Sequence, residues 1–258
     1  MSFVFSMTWW TLVEAKFIGF ENFVMFFSES SLNIGLRNTL IYAFVSSVGK
    51  VVIGFLLAVL LTSSLRTKDF MRAMIFFPTL INTIAVGITF SILMHPSMGP
   101  INRFLGMFGI QGPNWLGDVD MALLSVALVD VWKGLGVALV IFIAGILAIP
   151  STYYEALAID GGNGLHKFIH LTLPLSWPAT SAVILLSFIG GLRSFDLIWA
   201  MTGGGPGFAT DVVTSIIYKQ YQAGFYGLAT AGNVVLVVLV LILALPLQKL
   251  LSLQEIDL

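Results

Sequence analysis

The chain has 258 residues, of which 58% are apolar and only 10% charged, and its formal net charge is −1. A soluble domain carries about 25% charged residues, so this composition excludes a soluble protein and predicts an integral membrane protein. The near-zero net charge gives no indication of nucleic-acid binding, the lack of cysteine excludes disulfides and thiolate chemistry, and three scattered histidines predict no metal site.

The N-terminal segment is predicted to lie mostly outside the membrane. Residues 1–10 are apolar but far shorter than the ~20 residues that a span requires. We expect them to be the outer end of a truncated first span, because the orientation given below puts the N-terminus outside. The alternative is a five-span protein with an exported tail. Residues 11–37 are polar and aromatic, and they are predicted to be an external segment.

Five apolar stretches are each long enough to cross a bilayer as a helix. No repeat, coiled coil or second domain interrupts them. The sequence therefore predicts an all-α integral membrane protein with a single transmembrane domain and five complete transmembrane helices. The predicted spans are residues 38–63, 71–94, 121–149, 179–201 and 229–250.

Basic residues in the short connections set the expected orientation. The connection after the first complete span holds Arg66, Lys68 and Arg72, which predicts a cytoplasmic location. Alternation then makes residues 150–178 and the C-terminal tail cytoplasmic, and it puts the connections after the second and fourth spans outside.

Residues 150–178 are the one extended polar interruption on the predicted cytoplasmic side. Thr152 to Glu155 has the Ser/Thr-x-x-Glu form of a helix capping box, and Gly161 and Gly162 predict the end of the helix. The result is a helix of roughly two turns that projects from the membrane. Such a projection carries no chemistry of its own, but it can fit into the groove of another protein.

This stretch resembles the cytoplasmic "EAA" loop of permease subunits of bacterial ATP-binding-cassette importers. Two positions, Leu157 and Gly162, depart from the family pattern, which has alanine at both. The matching residues are Glu155, Ala156, Asp160, Gly161, Phe168, Leu171, Pro174 and Pro178.

The resemblance implies the fold of a type I importer permease and a mechanism of alternating access. It also implies that an ATP-binding subunit docks on this loop, and that the residues coupling the two are Glu155, Ala156, Ile159, Asp160 and Gly161. The implied partners are a second homologous permease, two ATP-binding subunits, an extracytoplasmic solute-binding protein and membrane lipid. ATP and magnesium would be bound by the partners, with no cofactor or catalytic site in this chain, and the location would be a bacterial or archaeal plasma membrane.

A second resemblance comes from the external sequence MTGGGPGF at residues 201–208. The TGGGP motif is similar to that of the first permease of carbohydrate importers of the maltose and glycerol-phosphate type. From the residues alone, the glycines predict a mobile turn that can approach other chains closely. Residues 211–222 follow with an apolar stripe, and they are predicted to form an amphipathic helix at the outer interface.

Charged residues inside the predicted spans are costly and indicate either function or internal pairing. Asp130 and Lys133 are three residues apart, as are Arg193 and Asp196, so each pair can neutralise itself on one helical face. The functional alternative is a polar lining of a translocation path, in which aromatic side chains stack on sugar rings. The candidates for this path are Lys50, Asp130, Trp132, Lys133, Arg193 and Asp196. In the second span, Pro78 predicts either a kink or a tolerated proline.

Three other functions remain open on the residues alone. Lys50, Lys133 and Arg193 permit an anionic substrate of the glycerol-phosphate type. An ion-coupled secondary transporter would use the paired charges but gives no role to the polar loop. An intramembrane enzyme is disfavoured because the sequence shows no catalytic cluster of the usual kinds.

Overall fold

The computed structural model describes residues 2–28, 30–63 and 65–253, and it is mostly helical. Residues Phe168–Thr172 form a π-helical turn. The helices are α1 (Ser2–Phe5), α2 (Glu21–Ser28), α3 (Ser30–Leu61), α4 (Lys68–Leu80), α5 (Thr83–Leu93), α6 (Pro100–Met107), α7 (Ala122–Leu147), α8 (Ser151–Ile159), α9 (Gly164–Lys167), α10 (Leu173–Leu175), α11 (Trp177–Leu192), α12 (Asp196–Thr202), α13 (Val213–Gln222) and α14 (Tyr226–Ser252).

Within these ranges, three helices are long and apolar enough to cross a membrane unbroken, namely α3, α7 and α14. Two bent pairs bring the number of candidate spans to five if each pair is counted as one. These pairs are α4 with α5, bent by 99°, and the segment Gly164–Leu175 with α11, bent by 62°. The third predicted span agrees with α7 to within two residues at each end.

The second predicted span is broken rather than kinked. Helix α4 ends two residues after Pro78, and α5 begins at Thr83. Asn82 caps the new helix, because its side-chain oxygen accepts hydrogen bonds from the backbone N–H groups of Ile84 at 2.9 Å and Ala85 at 3.4 Å. The break therefore costs few unsatisfied backbone groups.

The predicted fourth span, residues 179–201, is not one continuous helix. Helix α11 ends at Leu192, and α12 starts only at Asp196. The hydroxyl of Thr214 donates to the carbonyl of Ser194 at 2.6 Å, so a side chain from α13 satisfies a backbone group at the break. Apolar composition alone carried no sign of this tertiary hydrogen bond.

The N-terminal segment also differs from the prediction. Helix α1 ends at Phe5, and a β-hairpin follows in which β1 (Thr8–Trp10) pairs antiparallel with β2 (Ala15–Phe17). The amide of Asn22 donates to the carbonyls of Ser6 and Thr8, each at 2.9 Å, and so holds the hairpin against α2. Helix α3 begins at Ser30, which is earlier than predicted. Residues 1 and 29, which belong to the predicted span end and external segment, lie outside the described ranges.

The chain forms two compact units. Unit 1 comprises Met1–Val45, Asn82–Asp130 and Ile189–Leu243. Helix α13 is confirmed at Val213–Gln222, but its apolar stripe faces the core of unit 1 rather than a membrane interface. The core residues of this cluster are Phe26, Leu32, Val213, Ile216, Ile217, Leu228 and Ala229.

Unit 2 comprises Ser46–Ile81, Val131–Phe188 and Ala244–Leu258. Glycines let α3 and α7 approach closely, since a Cβ on Gly54 would lie 3.1 Å from the Cβ of Ala138. The guanidinium of Arg72 donates to the carbonyl of Leu61 at 2.6 Å, which satisfies the C-terminal end of α3. The core cluster contains Phe55, Ala58, Leu61, Ala138, Leu139, Phe142, Ile146 and Val183.

Candidate functional site

The predicted coupling loop, residues 150–178, lies in unit 2 and begins with the isolated helix α8. The predicted capping box is wrong: Pro150 is the N-cap, and no side chain caps the helix. Because α8 starts directly after the proline, Thr152 already lies inside the first turn. The N-terminus of α8 thus presents backbone N–H groups that no side chain covers.

The C-terminal end of α8 is built as the sequence predicted. Gly161 has φ +80°, a conformation that favours glycine. The N–H of Gly162 donates to the carbonyl of Leu157 at 2.8 Å, and the N–H of Gly161 donates to that of Ala158 at 3.2 Å. These two hydrogen bonds form a Schellman motif, which satisfies the last carbonyls and ends the helix sharply.

The two departures from the family pattern are in contact with each other. A Cβ on Gly162 would lie 2.6 Å from the Cγ of Leu157 and 2.8 Å from its carbonyl oxygen. An alanine at position 162 therefore does not fit beside Leu157 in this conformation. The larger residue at one position goes together with the absence of a side chain at the other.

All five predicted coupling residues are exposed on α8 and its end. Glu155, Ala156, Asp160 and Gly161 are exposed, and Ile159 is 86% exposed. The structure thus brings these five residues together on one projecting element.

Side-chain contacts connect α8 to the core of unit 2. The hydroxyls of Tyr154 and Thr172 are 3.1 Å apart, which joins α8 to the π-helical turn. At the start of that turn, Phe168 packs against the core cluster, with its ring centroid 5.9 Å from that of Phe55. The Phe55 ring in turn meets the Phe142 ring at 5.2 Å. A continuous set of contacts thus links α8 to α3 and α7 within unit 2.

The predicted path residues of unit 2 have different environments. Lys50 is 9% exposed, and its aliphatic chain lies against Gly134, where a Cβ would be 2.5 Å from the lysine Cε. Trp132 is 39% exposed. Lys133 is half-buried, and its carbonyl accepts a hydrogen bond from the Thr79 hydroxyl at 2.9 Å. The glycine at position 134 makes room for the buried lysine.

The other path candidates, Asp130, Arg193 and Asp196, lie in unit 1. Asp130 is a hydrogen-bond partner of the Tyr42 hydroxyl, which also accepts from the Ser194 hydroxyl at 3.2 Å. Tyr42 is fully buried. This set of hydrogen bonds ends at Ser194, in the break between α11 and α12. Its central residue, Tyr42, was not predicted from the sequence, because a tyrosine within an apolar helix gives no signal.

The two i, i+3 pairs lie in different settings. Arg193 and Asp196 are both exposed and lie on opposite sides of the helix break, so they do not share a helical face. Asp130 and Lys133 do share helix α7.

The Gly-Pro loop, residues 201–208, is tied down rather than mobile. The Asn38 amide donates to the carbonyls of Phe208 at 3.3 Å, Ala209 at 3.0 Å and Asp211 at 2.9 Å. The Thr210 hydroxyl donates to the carbonyl of Gly205 at 2.7 Å. The loop is therefore held by side chains on both sides.

A buried ion pair closes this loop, and sequence reasoning missed it. The carboxylate of Asp211 is fully buried and accepts from Nζ of Lys219 at 2.6 and 2.8 Å and from the Ser215 hydroxyl at 2.8 Å. A Cβ on Gly204, which has φ +94°, would collide with the Asp211 carboxylate. The spacing of eight residues could have suggested the pair, since Asp211 lies just before α13 and Lys219 lies on it.

Unit 1 also contains an aromatic cavity of about 320 Å³, which no sequence pattern indicated. Its aromatic side chains come from five separate positions, Trp10, Phe195, Tyr218, Tyr221 and Tyr226. Rings of Phe195 and Tyr218 lie 5.0 Å apart, and those of Tyr221 and Tyr226 lie 5.1 Å apart. Because the strand and helices that supply them are distant in sequence, only the fold brings them together.

Comparison with known proteins places this arrangement in a defined class. Residues 50–252 match the family described as "binding-protein-dependent transport system inner membrane component". The chain belongs to this family of membrane transport proteins, as the loop motif indicated.

Individual relatives cover most of the chain. It is 32% identical to the trehalose/maltose transport system permease protein MalF of Thermococcus litoralis over 228 residues, which is 88% of this chain and 77% of that protein. It is 30% identical to the sn-glycerol-3-phosphate transport system permease protein UgpA of Agrobacterium fabrum over 236 residues, 90% of this chain and 79% of that protein.

A solved structure shares the fold. It is a bacterial ABC transporter involved in the import of the acidic polysaccharide alginate, and one of its chains is similar with a TM-score of 0.84 and 22% identity. The similarity covers 94% of this chain and 86% of that chain. The predicted fold class, that of an importer permease, is confirmed by this likeness.

Proposed function

We propose that this chain is the transmembrane permease subunit of an ATP-driven importer for a sugar or oligosaccharide. The support comes from the family match together with relatives whose names state sugar transport. The importer would work by alternating access in a bacterial or archaeal plasma membrane. Its partners would be a second permease, two ATP-binding subunits that hold ATP and magnesium, and an extracytoplasmic solute-binding protein.

The observation that carries the proposal is the construction of the coupling loop. An exposed helix with Ile159 at its tip is anchored to the core of unit 2 by the Tyr154–Thr172 hydrogen bond and by Phe168. A purely structural loop would not need both an exposed apolar tip and a buried anchor. In our proposal, the tip binds an ATP-binding subunit, and the anchor passes the movement of that subunit to α3 and α7.

Within the permease, Lys50, Asp130, Trp132, Lys133, Arg193 and Asp196 remain the proposed lining of the path. Arg193 lies in the break between α11 and α12 and Asp196 begins α12, and both side chains are exposed. Lys50 is buried within unit 2, at a depth where a charged side chain is costly and is more often functional.

A second candidate substrate is a small phosphorylated solute such as glycerol 3-phosphate. It is favoured by the UgpA relative and by three cations among the proposed path residues. The two substrates predict opposite outcomes in a transport assay.

The test uses the complex of this chain with its partner subunits in proteoliposomes. We expect ATP-dependent uptake of a neutral sugar such as maltose or trehalose. Glu155→Lys should abolish uptake while the complex still inserts, because the new charge lies on the docking surface.

Glu14→Lys is the matched control, because Glu14 is an exposed carboxylate in the turn of the hairpin. Wild-type uptake in Glu155→Lys would contradict the docking role. Uptake of glycerol 3-phosphate alone would select the second candidate.

A further inference from the structure

The aromatic cavity of unit 1 has features of a ligand site that are separate from the proposed path residues. Its volume of about 320 Å³ lies at the lower end of the range of small-ligand pockets, ~300–1,000 Å³. It lies between β1, the break before α12, α13 and the first turns of α14. None of its lining side chains is charged.

The aromatic rings of the cavity form two groups. In one group, the lining rings of Phe195 and Tyr218 lie 5.0 Å apart, and both pack against Trp199 behind them, at 5.6 and 4.9 Å. In the other, Tyr226 lies 5.8 Å from Trp10. The C–H bonds of a pyranose ring present a weakly positive apolar face, which is attracted to the negative face of an aromatic ring.

Four polar groups at the cavity have no hydrogen-bond partner among the residues that the structure describes. The hydroxyls of Tyr218, Tyr221 and Tyr226 and the amide of Asn233 make no hydrogen bond to any residue of the described ranges. Tyr226 and Asn233 lie seven residues apart on α14, on the same helical face. An unpartnered amide in an apolar helix is unfavourable next to lipid acyl chains, so these groups require a polar partner.

We infer that this cavity binds one ring of a neutral sugar, as an additional subsite for the substrate; the inference rests on the proposed function. The rings would stack on the apolar face of the sugar, and Asn233 with the tyrosine hydroxyls would bond its hydroxyls. The absence of charge in the lining disfavours a uronate or a phosphorylated solute, because neither anion would be neutralised. A lipid chain would leave the four polar groups unpaired.

The experiment measures sugar binding directly, without the solute-binding protein. Saturation-transfer NMR with maltose, trehalose and maltotriose is recorded on the complete permease–ATPase complex in nanodiscs. We expect signals from the ring protons and a threefold to tenfold weaker affinity in Asn233→Ala, the effect of about one lost hydrogen bond. Tyr221→Ala should weaken binding similarly, and Tyr221→Phe should weaken it less because the ring is kept.

Asn233 is exposed, so its replacement does not remove an internal contact and the folding of the variant is expected to be normal. The matched control is Phe104→Ala, an exposed aromatic residue of unit 1 whose ring contacts that of Phe108. Its affinity should equal that of the unmodified complex.

Three results would overturn the inference. The first is no saturation transfer with any of the three sugars, and the second is unchanged sugar affinity in both Asn233→Ala and Tyr221→Ala. The third is that these two substitutions weaken glycerol 3-phosphate binding more than they weaken sugar binding. The proposed function fails in a different assay, in which the complete importer shows no ATP-dependent sugar uptake. If the complete importer takes up sugar but sugar binding is unchanged in both variants, only the inferred subsite is refuted and the proposed function stands.

Discussion

Two glycine-containing segments, one in each unit, look alike in sequence but are built for different purposes. The Gly-Pro loop of unit 1 and the end of α8 in unit 2 both contain glycines with positive φ. The first is fixed by Asn38 and by the buried pair Asp211–Lys219. The second is exposed, and a Cβ on Gly161 would have no neighbour within 4 Å. Glycine allows a positive φ in both segments, and only the surrounding contacts distinguish a loop held inside the protein from an exposed contact surface.

The largest effect on stability is expected from Lys219→Met, which breaks the Asp211–Lys219 ion pair. It leaves the Asp211 carboxylate, whose side chain is 1% exposed, without its cation. We expect a loss of about 3 kcal/mol in stability, the lower end for a broken buried pair, because the Lys219 side chain is 37% exposed. Thermal unfolding of the purified complex measures it.

The double variant Asp211→Asn/Lys219→Met removes the unpaired charge and should regain part of the lost stability. Equal unfolding temperatures for Lys219→Met and the unmodified protein would mean that the loop is not held by this pair.

Phe168→Ala should have the next largest effect, this time on coupling. Truncation removes the ring that contacts Phe55 and leaves a cavity beside the core of unit 2. The cost is about 2 kcal/mol, below the ~3–5 kcal/mol of a fully buried phenylalanine, because Phe168 is half-buried. We expect ATP hydrolysis to continue while sugar uptake falls at least tenfold. Phe168→Leu, which keeps an apolar side chain in the core, should retain most of the uptake; equal losses in both variants would argue against a packing role.

Gly161→Ala tests the end of α8, and its expected effect on uptake is smaller than that of Phe168→Ala. At φ +80° an alanine costs roughly 1–2 kcal/mol, although no atom obstructs its Cβ. The end of α8 should therefore shift, and uptake should fall severalfold. Gly164→Ala is the control, since position 164 is also open but its φ is not in the positive region. If both variants transport equally well, the sharp helix end is not needed for docking.

Lys133→Ala is expected to have the smallest effect. Among the contacts within the described ranges, Lys133 contributes its carbonyl, which accepts from Thr79 and is retained in the variant. Stability should be unchanged, and the KM for sugar uptake should change severalfold if the ammonium lines the path. An unchanged KM would leave Lys133 without a role in transport.

Local chemistry made part of this architecture predictable from the sequence. The extent of α7 and the end of α8 at Gly161 and Gly162 depend on short-range effects, and the structure agrees with both predictions. The break at residues 193–195 and the aromatic cavity depend on groups distant in sequence. Apolar patterning does not distinguish a continuous helix from two helices whose junction is satisfied by another segment.

The central claim is that the tip of α8 is a cytoplasmic docking surface for an ATP-binding subunit. Because the chain has no cysteine, Ile159→Cys provides a single reactive site at a side chain that is 86% exposed. We predict that a membrane-impermeant maleimide labels it only from the cytoplasmic side, and that assembly with the ATP-binding subunits protects it. Labelling from the outer side, or equal labelling with and without those subunits, would contradict the account.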